Sequence, residues 1–253
     1  MSVLRQWLRL AIPLSTRQAL AHARRRWRDL NQGIAWSERH ADDVAGSGSA
    51  YILQAELSQA IMPSALFDNK LANLAHGARR MNRSLIGPRQ TWSFWRYVQE
   101  PSERMGFVVG RNLVNGQLTR QVGGGLCQLS SLIYHLGLLS GLTITERHPH
   151  SIDIYQEHER FTPLGADATV VWGFKDLRLT NPHAVEVMLE CFVQEHRLIG
   201  RVYARAPLPA CELDFIREQV DASHVLVHTM VNQQRYQQTL YEQKQGLALQ
   251  APS

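Results

Sequence analysis

The run from Gly123 to Ser131, Gly-Gly-Gly-Leu-Cys-Gln-Leu-Ser-Ser, constrains this chain more than any other stretch. Glycine permits backbone angles that other residues avoid and lets neighbouring backbone approach closely. An apolar segment of helical period follows at once, with Leu129, Leu132, Ile133, Leu136 and Leu139 on one stripe. Cys127, Ser130, Ser131 and Tyr134 share a more polar flank, and Gly141 is placed to end the helix. Cys127 therefore stands at a helix N-terminus, where free N–H groups and the positive end of the helix dipole favour a thiolate. The same position also suits a small buried hydrophobe at a tight turn.

The elements around this turn predict an α+β fold, with the Cys127-led helix on a mainly antiparallel sheet. Apolar spacing at Leu71, Leu74, Ala75 and Ala78 predicts a helix over 66–81. Residues 82–89 read as a turn and Thr91 to Trp95 as an aromatic strand, with Trp92 and Phe94 facing one way and Trp95 the other. One of those aromatic sets could line a pocket. Residues 107–122 read as a hairpin turning on Asn115-Gly116 in type I′ geometry. Further strands are expected over 142–147, 168–174 and 176–179, and a hairpin over 184–194 and 198–205. Helix first and strands afterwards is the order in which papain-like and transglutaminase-like folds place nucleophile and base, by analogy only.

Three segments are expected. Residues 1–50 form a basic helical extension and linker, with Leu4, Trp7, Leu8, Ala11 and Ile12 in a first helical piece ended by Pro13. Residues 51–206 form the α+β body, and 207–253 a polar extension of short strand or helix. A net charge of +5 comes mostly from arginine, lysine standing only at Lys70, Lys175 and Lys244. No nucleic-acid motif accompanies the charge, so no nucleic-acid partner is expected. The cluster around Arg24-Arg25-Arg26 admits two readings: a helix lying on an anionic membrane, or one packed on the protein's own body. With no cleavable leader and no long apolar run evident, the expected location is the cytoplasm, with peripheral contact to the inner face of the membrane as an alternative. The three cysteines are too few for a disulfide framework, though Cys191 and Cys211 could pair.

Several motifs fall in the order found in one known family. They are Ser93-Phe94-Trp95, Gly123 to Ser130, Glu146-Arg147-His148-Pro149-His150-Ser151, Asp167-Ala168-Thr169-Val170 and Asp176-Leu177. Over roughly residues 65 to 200 the chain resembles the VanW family. The resemblance implies an association with glycopeptide resistance and cell-envelope peptides, and assigns no reaction.

The residues themselves point to thiol chemistry. Cys127 would attack an amide or ester carbonyl, activated by a histidine held by a carboxylate. His150 is the favoured base over His148, and Asp167 the favoured carboxylate over Asp153. Backbone N–H groups around Gly125 and the Gln128 side chain would stabilise an oxyanion, with Ser130 and His148 beside the substrate. Peptide-like or envelope-related amides are the expected ligands. A rival reading is a non-catalytic binding or scaffold protein. A zinc site from His148, His150 and His158 or Cys127 matches no strong signature, so neither metal nor cofactor is expected. The glycines lack the lysine and spacing of a nucleotide loop. Oligomeric state is left open.

Overall fold

The computed structural model describes residues 13–43, 50–114, 117–153, 157 and 160–244. Its elements in chain order are α1 (Leu14–Asn31), β1 (Arg39–His40), β2 (Ile52–Ala60), α2 (Phe67–Met81), β3 (Ser84–Ile86), β4 (Thr91–Ser93), α3 (Phe94–Val98), β5 (Val109–Val114) and β6 (Gln117–Val122). They continue with α4 (Leu126–Leu139), β7 (Thr143–Glu146), β8 (Ile152–Asp153), β9 (Arg178–Thr180), β10 (Val187–Gln194), β11 (Arg197–Ala204), β12 (Leu213–Gln219), β13 (His224–Val231) and β14 (Gln234–Gln243). The fold is α+β. The expected Asn115-Gly116 turn, the first helical piece before Pro13 and His158 lie outside the described residues.

The largest sheet has the strand order β1-β3-β10-β11-β2, antiparallel throughout. On it lie α2 and α4. The Leu129–Leu136 stripe is fully buried, and so are Tyr134 and Leu138, which makes α4 an interior helix rather than a half-exposed one. It approaches β11 so closely that a Cβ at Gly200 would meet Leu136 Cδ1 at 2.6 Å. A three-stranded sheet, β4-β9-β7, borders the other flank of α4. The expected 184–194 and 198–205 hairpin is present as β10 and β11, with Val187 and Leu189 buried.

Three sequence expectations give way to tertiary contacts. Residues 82–89 contain β3, whose Ser84, Leu85 and Ile86 are all buried between β1 and β10. The aromatic strand stops at Ser93, which caps α3 by accepting a hydrogen bond from Arg96 N (3.3 Å). Strand alternation therefore fails, and Trp92, Phe94, Trp95 and Tyr97 are all buried. Residues 168–174 form no strand; a single bridge, Val171 to Lys175, closes a turn there. Cys191 and Cys211 are unpaired, the Cys191 thiol instead directed at Ala78 O (3.5 Å).

The polar C-terminal segment folds as a meander, β12-β13-β14. Its last strand pairs in parallel with β8, just after His150. Val225, Val227, Tyr241 and Leu164 form a small core beneath it. At the other end, α1 docks on the body through polar groups. His22 stacks on Trp172 at 4.6 Å between ring centres, Arg25 donates to Phe174 O (3.2 Å), and Asp29 receives both arms of Arg178 (2.8 and 2.9 Å).

The β5–β6 hairpin is seated by the glycine turn. A Cβ on Gly124 would lie 2.3 Å from the carbonyl carbon of Gly110 in β5, a backbone atom that no rotamer change can move. Asn73 of α2 locks the arrangement by donating to Gly124 O (3.0 Å) and Val108 O (2.9 Å). Gly124→Ala should therefore destabilise the fold by ~1–3 kcal/mol, the usual cost of overpacking. Urea unfolding followed by circular dichroism measures it, and an unchanged midpoint would refute the close approach.

Candidate active site

Gly125 is the N-cap of α4, with φ of 101°, a value at home in glycine. That turn sends the chain into the helix with Cys127 in its first turn. Leu126 N turns back to Gly123 O and Gln128 N to Gly125 O, while Cys127 N–H makes no backbone hydrogen bond among the described residues. The thiol is half-buried and points toward Val170 O, 3.9 Å away.

Two serines bind the 167–170 segment to this turn. Ser130 Oγ donates to Ala168 O (2.6 Å) and Cys127 O (3.1 Å). Ser131 Oγ donates to Cys127 O (2.6 Å) and accepts from Ala168 N (3.0 Å). Asp167 is thereby held beside the helix end. The 147–150 segment is tied on in turn, by Thr169 N donating to His148 O (2.7 Å).

Each oxygen of Asp167 accepts twice. Oδ2 receives His150 N and His150 Nδ1, each at 2.7 Å. Oδ1 receives Arg147 Nη2 (2.9 Å) and the Tyr241 hydroxyl. Arg147 is itself almost wholly buried, at 1% side-chain exposure. Its remaining donors reach Asp167 O (2.8 Å), Thr239 Oγ1 (2.8 Å), Gly165 O (3.2 Å) and Tyr241 (3.1 Å). Its guanidinium also lies over the Tyr134 ring.

His150 also acts electrostatically on the Cys127 thiol, and the thiol on the imidazole. Burial by itself would push the Cys127 pKa up. The interaction with His150 first, then the Val170 backbone and the Lys175 charge, outweigh burial and hold the thiol below its ordinary value. For His150 burial works downward, but the hydrogen bond to Asp167 and the interaction with Cys127 outweigh it and raise it strongly. For Asp167 burial works upward, and His150 and Arg147 outweigh it, holding the carboxylate well below the usual range. These shifts favour a thiolate, an imidazolium and a carboxylate.

The remaining candidates are engaged elsewhere. His148 turns away to Glu146 (2.9 Å). Asp153 pairs with Arg160. Gln128, expected to offer its amide to an oxyanion, donates it to Ala60 O (2.9 Å) on β2 instead. The correction follows from helix geometry: the residue after Cys127 points about 100° away from it, here toward the large sheet. Ser130 is fully buried in its clamp, away from any substrate space. No three His, Cys, Asp or Glu side chains are grouped to hold a metal among the described residues.

Sequence reasoning missed Tyr241 and Thr239, which stand in the polar tail with no local motif. It also missed Lys70, whose stem packs against Gly125 and whose pKa is lowered to about 8, by burial first and then by Arg111. The Ser93-Phe94-Trp95 and Asp176-Leu177 motifs prove to be partners: Ser93 Oγ donates to Asp176 Oδ2 (2.7 Å), and Phe94 N to Leu177 O (2.9 Å). Asp176 and Arg178, together with α1 and α3, wall a polar cleft of about 660 Å³ edged by Trp95 and Trp172.

The pattern that defines VanW like proteins matches residues 69–203, more than half of the chain and all of the Cys127, His150 and Asp167 constellation. The chain belongs to the VanW family. It is 34% identical over 137 residues to the vancomycin B-type resistance protein VanW of Enterococcus faecalis, a match covering 54% of this chain and 50% of that protein. It is 30% identical over 117 residues to the uncharacterized protein YoaR of Bacillus subtilis, covering 46% of this chain and 37% of that one. The chain thus spans half or less of the length of these relatives. No solved structure matches. The family region contains Arg147 but stops short of Thr239 and Tyr241, and begins after α1.

Removing the Asp167 charge should raise the pH at which the Cys127 thiolate forms, because His150 then loses its charge partner. Thiolate absorbance in Asp167→Asn, titrated against wild type, measures this, and coincident titrations would refute the coupling. The stability linkage has the opposite pH sense to a histidine's. Asp167 has a lowered folded pKa, so its contribution is fully present above the unfolded value of about 4 and is lost as pH falls through the folded value. Wild type should thus lose thermal stability below about pH 4 more steeply than Asp167→Asn. Arg147→Leu, which leaves Asp167 buried beside a lost cation, should cost ~3–5 kcal/mol in urea unfolding.

Proposed function

We propose that this VanW-family chain is a cysteine-dependent hydrolase or acyl transferase acting on peptide-like or cell-envelope-related amides or esters. The observation that supports the proposal is the His150 Nδ1–Asp167 Oδ2 hydrogen bond beside Cys127, whose thiol stands in the first turn of an interior helix and is held below its ordinary pKa in part by His150. The vancomycin-resistance name of the Enterococcus faecalis relative supports an envelope peptide as substrate.

In this mechanism Cys127 Sγ, as thiolate, attacks the carbonyl carbon. The carbonyl electron pair moves to oxygen, and the oxyanion is met by the Cys127 N–H at the helix end. The tetrahedral species collapses with loss of the amine or alcohol, to which His150 gives its proton. A thioester on Cys127 remains. Water, or a second amine, then attacks it while His150 takes the incoming proton, and collapse releases the acid or transferred acyl product and the Cys127 thiolate, restoring the starting ion pair. Asp167 keeps the imidazole in place and stabilises its charged form throughout, as in other triads.

A second reading, a non-catalytic binding protein, is favoured by one observation. The Gln128 amide is committed to Ala60 O, so the oxyanion site rests on backbone alone. The two readings separate in the alkylation rate of Cys127 followed against pH in the intact protein. The proposal expects rapid, selective modification well below the ordinary thiol pKa of about 8.5. It also expects that rate to fall by an order of magnitude or more at neutral pH in His150→Ala, and the signal to vanish in Cys127→Ser. An inert Cys127 in the folded chain would leave the glycine–cysteine turn as architecture.

A further inference from the structure

Helix α1 is amphipathic in the reverse sense to a core-packing helix. Its charged and polar side chains His22, Arg25 and Asp29 face the body, held by Trp172, Glu146 and Arg178. Its large apolar side chains face away. Leu20 is 61% exposed, Trp27 67% and Leu30 79%. With Ala23 these positions fall at i, i+3, i+7 and i+10, one continuous stripe of a helical surface. Arg24, Arg26 and Arg28 are exposed around it, and Asp29, the helix's lone acidic residue, is buried against Arg178. An outward stripe of leucine and tryptophan serves no folding purpose, since burial of apolar area is what drives packing.

We propose that the outer face of α1 binds an anionic lipid surface, Leu20, Trp27 and Leu30 entering the headgroup boundary while the arginines meet lipid phosphates. Charge complementarity decides the occupant. A stripe edged by arginine, without an exposed acid on the helix, suits phosphate headgroups and disfavours a second copy of itself, which would set arginine against arginine. Tryptophan and arginine are also the side chains that settle at a bilayer interface. No helix among the described residues is long and apolar enough to cross a membrane, so the contact is made along the surface. Because α1 also walls the polar cleft through His22, Arg25, Arg26 and Asp29, this contact holds the cleft beside the lipid.

Sedimentation of the full chain with phosphatidylcholine vesicles, with and without phosphatidylglycerol, tests the proposal. Binding is expected only to the anionic vesicles and should weaken steeply with added salt. Each of Arg24→Gln and Arg28→Gln should weaken it several-fold. Trp27→Glu should abolish it, and Trp27→Phe should keep most of it. Cys127→Ser should bind as wild type, since this contact is independent of the thiol chemistry. Unchanged circular dichroism and thermal unfolding confirm that the variants fold. Failure to bind anionic vesicles, equal binding to neutral ones, or undiminished binding by folded Trp27→Glu would overturn it. So would concentration-dependent dimerisation that Trp27→Glu removes, which would assign the stripe to a second copy.

Discussion

The carboxylate of Asp167 is the point on which the rest of the structure turns. It is almost wholly removed from water and accepts four hydrogen bonds, two on each oxygen, from His150, Arg147 and Tyr241. A buried anion is tolerable only when paired and fully hydrogen-bonded, and the same holds for Arg147. Their mutual attraction explains why segments distant in sequence converge. Arg147 follows β7, Asp167 sits in the loop fastened to α4, and Thr239 and Tyr241 belong to the C-terminal meander. The polar tail is thus part of the site's support, although the family region ends before it.

The serine clamp converts that convergence into geometry. Ser130 and Ser131 engage both the carbonyl of Cys127 and the backbone of Ala168, so the thiol and the carboxylate cannot move independently. The imidazole of His150 is held by the Asp167 carboxylate. Just beyond, residues 172–178 belong to a second polar network, in which Asp176 joins Ser93, Trp95 and Arg178, and Glu146 joins Arg25 and His148. The short stretch from Asp167 to Arg178 therefore links the thiol site, the cleft and the N-terminal helix.

The family's motifs acquire physical meanings from these contacts. Ser93 and Asp176 close the junction between β4 and α3. The triple glycine allows the β5 backbone to touch the turn and admits the positive φ before α4. Glu146 and Arg147 are neighbours with separate tasks: Glu146 serves the α1 network and Arg147 serves Asp167. His148 and His150 diverge because residues two apart around Pro149 follow different partners, Glu146 and Asp167.

The sequence by itself determined the local features. Glycine, cysteine and a 3.6-residue apolar period suffice to place Cys127 at the start of a buried helix, and alternating residues suffice for the β10–β11 hairpin. The α+β class follows from the order of those elements. Tertiary structure decided what depends on partners far along the chain. Ser84–Ile86 became a strand because neighbours on both sides supply its hydrogen bonds, and residues 168–174 did not because α4 and His148 claim that backbone. Gln128 went to the sheet rather than the thiol for a rotational reason that only the helix's orientation reveals. Tyr241 and Thr239 carry no local signal, since hydrogen bonding to a distant carboxylate imposes no pattern on the residues beside them. The reversed amphipathicity of α1 was equally illegible: sequence shows that a helix has two faces, but only docking decides which one is turned to the body.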